Sequence, residues 1–100
     1  MSYNLYVAMI NKKLENIRKK LDVLDNHFLS LIKKRTYLVN QVLLTKKFKN
    51  QIVDKKRIKK ILSNIKSKSK KKNIDVKITN EIWKSMIRAY IKYEFRNFKK

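Results

Sequence analysis

The stretch Leu14–Lys46, LENIRKKLDVLDNHFLSLIKKRTYLVNQVLLTK, decides the fold. Its large apolar residues fall at Leu14, Ile17, Leu21, Leu24, Phe28, Leu31, Leu38 and Val42. Steps of three and four make a heptad seam, the mark of a helix that buries one stripe against another helix. Arg35 interrupts the series between Leu31 and Leu38, where the seam calls for a hydrophobe. No glycine or proline breaks the surrounding segment, so a first helix is expected over residues 7–47. A helix of that size is roughly 60 Å long. A compact chain of 100 residues is only about 33 Å across. Its own chain is too short to cover such a helix, whereas a second copy wrapped around it would. An intertwined helical homodimer is the expectation.

Downstream of the seam, Asp54 suits an N-cap, because its carboxylate can accept from the free amides of a new first turn. A second helix is expected over 54–65, with Ile58, Ile61, Leu62 and Ile65 on one face. The run IKSKSKKKN (Ile65–Asn73) reads as a solvated basic connection or a frayed helix end, with the connection taken over 66–74. Asp75 suits the cap of a third helix over 76–98, whose stripe includes Ile78, Ile82, Trp83, Ile87, Tyr90, Ile91 and Phe95. Glu94 intrudes into that stripe as Arg35 does into the first. The fold class is all-α, a single domain of three helices spanning residues 1–100.

Composition excludes several alternatives. The chain contains no Gly, no Pro and no Cys. Tight turns of sheet proteins, glycine-rich phosphate loops, disulfides and cysteine-based metal sites are thereby disfavoured or impossible. No cofactor and no metal are called for. No run of about 18 apolar residues exists to span a membrane, and the start lacks a secretory apolar core, so the cytoplasm is the expected location. The 28 basic residues against seven acidic give a net charge of +21. Twenty-three of the 28 are Lys, and Ile and Asn are also abundant. Such a bias is what an A+T-rich coding sequence tends to produce, and the charge also attracts anions. Charge by itself does not separate these readings.

The scarce arginines, Arg18, Arg35, Arg57, Arg88 and Arg96, are more telling. A chain that writes Lys nearly everywhere gains from Arg where a planar fork must grip a carboxylate. Arg18 and Arg35 are 17 residues apart, or about 25 Å along one helix. They cannot grip one small ligand from one chain, but an antiparallel partner helix would bring them together. The plainer alternatives are a seam ion pair between Arg35 and Glu94, a core pairing of Glu94 with Lys46, and a surface role for Arg57 beside Asp54. Basic residues inside an apolar bundle suit a small dianion with a hydrophobic body. They argue against nucleic acid as the partner, since that reading wants its arginines outside.

Residues Ile17–Asp25 (IRKKLDVLD) and Phe28–Arg35 (FLSLIKKR) resemble the opening helix of the all-helical chorismate mutases, which typically reads I-R-x-x-I-D-x-I-D and then L-L-x-L-L-x-x-R. Lys46 follows Arg35 at that family's spacing, Asp54–Arg57 resembles its D-x-x-R segment, and the Trp83–Glu94 stripe resembles its third helix. The isochorismate pyruvate lyases share the fold. The resemblance implies an intertwined dimer acting on chorismate. It implies that Arg35 holds one substrate carboxylate and that Arg18 reaches another from the second chain. Lys46 would donate to the ether oxygen whose bond breaks. Asp54 and Arg57 would lie around the ring hydroxyl, Tyr90 at the ring carboxylate, and Glu94 at the ether oxygen.

These residue types fit the chemistry. Conversion of chorismate to prephenate is a one-substrate pericyclic rearrangement, which needs no nucleophile or cofactor. The protein must hold a reactive chair-like conformer and stabilise charge growing on the ether oxygen. Two departures stand out. Ile58 occupies the place where the mutases usually carry a Glu, as some lyases do with an apolar residue. Glu94 must be protonated to donate to an ether oxygen. The readings carried forward are a chorismate mutase, an isochorismate pyruvate lyase, a basic nucleic-acid binder and a coiled-coil interaction module.

Overall fold

The computed structural model describes residues 2–99 and contains three α-helices: α1 (Tyr3–Thr45), α2 (Lys55–Lys71) and α3 (Val76–Asn97). A short 3-10 turn, Lys49–Gln51, lies between α1 and α2. There is no strand among the described residues. The all-α reading of the seam and stripes therefore holds, with three helices and a very long first one.

The helix ends differ from expectation for identifiable reasons. α1 starts at Tyr3 rather than residue 7, because Ser2 caps it: the Ser2 hydroxyl accepts from the Leu5 amide at 3.3 Å. α1 stops at Thr45, whose hydroxyl donates back to the Val42 carbonyl at 2.6 Å. Asp54 and Asp75 cap α2 and α3, accepting from the amides of Arg57 (2.9 Å) and Lys77 (2.8 Å).

The expected basic connection over 66–74 is corrected most. α2 runs on to Lys71 instead of stopping near Ile65. Lysine is a good helix former, and Ser69 falls four residues after Ile65, continuing the inner face. Ser69 is buried, donates to the Ile65 carbonyl at 2.6 Å and meets the Thr79 hydroxyl at 2.8 Å. Two small hydroxyls thus close the junction of α2 with α3. Lys68, Lys70 and Lys71 sit in the last turn, where positive charge is favoured by the helix dipole.

The turn that follows is a Schellman motif. The Asn73 amide donates to the Lys70 carbonyl (3.2 Å) and the Ile74 amide to that of Ser69 (2.9 Å). Asn73 has φ 56°, the left-handed conformation. Glycine usually fills this position, and in a chain without glycine asparagine is the residue that tolerates it best. Asn73→Val is expected to destabilise the fold by about 1–2 kcal/mol, while Asn73→Gly leaves it unchanged or stabilised. Thermal unfolding followed by circular dichroism checks both.

The chain divides into two units, through Leu38 and from Val39 onward. The first is the greater part of α1, and its seam residues are solvent-exposed within the single chain, from Leu14 at 43% to Leu31 at 59%. The second unit holds the core. Leu43, Ile52 and Ile87 are buried there, and α2 packs on α3 through half-buried Ile58, Ile61, Leu62 and Ile65.

Candidate active site

The end of α1 turns into the short segment that positions Lys46. The Gln51 side-chain oxygen accepts from the amides of Lys47 (2.7 Å) and Phe48 (2.9 Å) and so folds the segment on itself. Ile52, only 3% exposed, anchors it in the core. With both ends fixed, the Lys46 ammonium donates to the Ile52 carbonyl at 3.4 Å and to Glu94 Oε1 at 3.0 Å.

This ion pair is largely out of solvent, its side chains 15% (Lys46) and 9% (Glu94) exposed. A carboxylate so buried is held by its pairing, since an isolated charge there would be very costly. Glu94 intrudes into the α3 stripe because its partner comes from the end of α1. Tyr90 lies half-buried one turn earlier on α3. Its ring meets that of Tyr93 edge to face at 6.3 Å, and Tyr93 donates to Asn40 at 2.8 Å. The Tyr93–Asn40 bond ties the Glu94 turn of α3 to α1.

Beside Lys46 opens a depression lined by Thr45, Lys46, Gln51, Val53, Asp54 and Lys55. Asp54 is both a cap and a wall of it, and the cap sets the first turn of α2, which carries Arg57. Arg57 is exposed and Ile58 half-buried on the inner face. The second unit thus contains Lys46, Asp54, Arg57, Tyr90 and Glu94, joins Lys46 directly to Glu94 and sets Asp54 in the depression beside Lys46. In the first unit, Arg35 is half-buried and Arg18 exposed on α1. Those two are some 25 Å apart along the helix and do not converge within one chain. Gln51 and the Ile52 carbonyl, which set the lysine, were not singled out by pattern. A lone Gln in a polar connection carries no periodic signal, and a carbonyl carries none at all.

What this geometry offers is a cation and a carboxyl at hydrogen-bond distance in a dry setting, with further cations on neighbouring turns. That is equipment for binding and polarising an anion, without a nucleophile. The family model for chorismate mutase type II matches residues 17–95. The chain belongs to this family. No curated protein and no solved structure matches it. The protein is accordingly a chorismate mutase, an isomerase that rearranges chorismate to prephenate in aromatic amino acid biosynthesis. Among the described residues no helix is long and apolar enough to cross a membrane.

Proposed function

We propose that the rearrangement takes place around the Lys46–Glu94 pair, in a site that Arg35 and the Arg18 of a second copy complete. The observation that carries this reading is the 3.0 Å contact of the two buried groups. In it, the Lys46 ammonium binds the ether oxygen and a neighbouring carboxylate as the C–O bond stretches. A cation aimed at charge that grows only in the transition state accelerates the chemical step and does more than bind. Arg35 grips one carboxylate of chorismate and the second copy's Arg18 the other, freezing the chair-like conformer. Asp54 and Arg57 bound the ring hydroxyl, Tyr90 the ring carboxylate.

The dimer in this proposal rests on the seam of the first unit. Leu14, Ile17, Leu21, Leu24, Phe28 and Leu31 are all at least 43% exposed in the single chain. An apolar stripe of that extent on a heptad repeat is the substrate of helix–helix association.

Glu94 donates a hydrogen bond to the ether oxygen when its carboxyl carries the proton, and the proton stays on the carboxyl throughout. Glu94→Gln keeps a donor at this place and is expected to retain the activity, whereas Glu94→Ala, which has none, is expected to lower kcat. A kcat in Glu94→Ala equal to the parent's would remove Glu94 from this role.

The reaction itself is tested by giving purified protein chorismate and, separately, isochorismate, with products identified by NMR. Prephenate from chorismate, lost in Arg35→Ala, is the expected result. Salicylate and pyruvate from isochorismate with little prephenate would assign the lyase reaction instead, and would explain Ile58.

A further inference from the structure

Positive charge is unevenly distributed along this chain. Residues 55–72 hold ten of the 28 basic residues and none of the seven acidic ones. An even spread of the same composition would place about five basic residues and one acidic residue there. Drift in coding bias raises lysine everywhere, but does not by itself double the basic share of one helix. Helix α1, with 43 residues, carries eight basic and three acidic residues. The excess belongs to α2.

The structure makes that segment one continuous helix with a defined outer surface. Its only large apolar residues, Ile58, Ile61, Leu62 and Ile65, are half-buried on the side packed with α3. At 100° per residue, Ser67 lies at the centre of the opposite side, while Ser63 lines a groove with the start of α3. Lys56, Lys60, Lys70 and Lys71 flank Ser67, and all five residues are exposed. The helix is about 25 Å long and presents ammonium groups along its whole outer face.

We infer that the outer face of α2 is a sequence-independent docking surface for the phosphate backbone of double-stranded nucleic acid. Lysines with a serine among them are a donor set that phosphate oxygens take. A duplex offers a charge about every 1.7 Å of its axis, so a rigid 25 Å cationic helix meets many phosphates at once. The same face contains no Arg–base fork beyond Arg57 at its edge and no aromatic ring, hence neither base readout nor single-strand stacking. It lacks the large apolar side chains with which an interfacial helix enters lipid. Lysine is depleted at protein–protein interfaces, which sets an acidic protein partner behind nucleic acid. This surface is separate from the Lys46–Glu94 site, and its function does not depend on the rearrangement.

The test is fluorescence anisotropy of a labelled random-sequence DNA duplex titrated with the full chain. Two charge-matched variants are compared with the parent. One carries Lys56, Lys60, Lys70 and Lys71→Gln on α2, and the other Lys12, Lys13, Lys19 and Lys20→Gln on α1. The α2 variant is expected to bind at least about tenfold more weakly at low salt, with a salt slope shallower by about three. The α1 variant is expected to lose about threefold or less in affinity. Prephenate formation by the α2 variant, whose four residues lie outside the proposed site, reports that the fold is kept. If that variant fails to fold, the parent and α1 variant still decide. No duplex binding by the parent overturns the inference, as does a loss in the α1 variant of tenfold or more. Equal losses in both variants, or binding by the parent to phosphatidylserine vesicles but not to duplex, also overturn it.

Discussion

Lys46→Met is expected to lower kcat/KM for chorismate by about 10³-fold, or some 4 kcal/mol of transition-state stabilisation. The side chain keeps an unbranched apolar stem, one atom shorter, and loses the charge and the donors. The fall is expected mainly in kcat, because the ether oxygen acquires its charge as the bond breaks and not on binding. One complication is intrinsic to the geometry. Removing the ammonium leaves the Glu94 carboxylate buried without the partner it has at 3.0 Å, and breaking such a pair costs about 3–5 kcal/mol of stability. The double variant Lys46→Met/Glu94→Gln separates the two effects. It is expected to recover most of the lost stability, because no unpaired charge remains, and none of the lost activity. Recovery of both in parallel would mean that Lys46 serves the fold alone. Steady-state kinetics and urea unfolding of the same three proteins supply the comparison.

Leu24→Glu combined with Leu31→Glu is expected to abolish the dimer and with it nearly all activity. Both residues lie on the α1 seam, and both are more than half exposed in the single chain (52% and 59%). A carboxylate placed in a helix–helix seam must be desolvated or the seam must open. Light scattering coupled to gel filtration is expected to show the parent at twice the chain mass of 12.2 kDa and the variant at that mass or unfolded. Activity is expected to fall by more than about 100-fold, because Arg18 then has no second copy in which to act. A parent that runs at the single-chain mass would contradict the proposed dimer. A monomeric variant with full activity would show that each chain holds a complete site.

The sequence was most legible where periodicity and chemistry agreed. The seam from Leu14 to Val42 and the stripe from Ile78 to Phe95 each gave a helix, and Asp54 and Asp75 cap helices as their positions imply. Glu94 was legible for the opposite reason, as a charge that periodicity does not allow, and its burial beside Lys46 follows from that conflict. Composition alone does not place the end of α2. Lysine and serine in alternation look solvated, yet Ser69 alone, on the inner face, binds the helix to Thr79 and carries it on to Lys71. The Gln51 turn was invisible because it is held by one side chain on two adjacent amides, an arrangement with no repeat to detect. Arg18 was recognisable as a candidate only by its kind and by resemblance. Its position on exposed helix surface gives it no chemistry until another chain is present.

The central claim is that one site takes Lys46 and Glu94 from one chain and Arg18 from another. The most direct measurement mixes two inactive proteins, Arg18→Ala and Lys46→Met, after unfolding and joint refolding. In a two-fold dimer of unlike chains, one site receives both substitutions and the other receives neither. Equal mixing then yields roughly a quarter of the parent's prephenate formation, because half the dimers are mixed and one of their two sites is intact. Recovery near that level is the predicted result. Activity in the mixture no higher than in the two separate variants would contradict the account, placing Arg18 and Lys46 in the same chain's site or leaving Arg18 outside it.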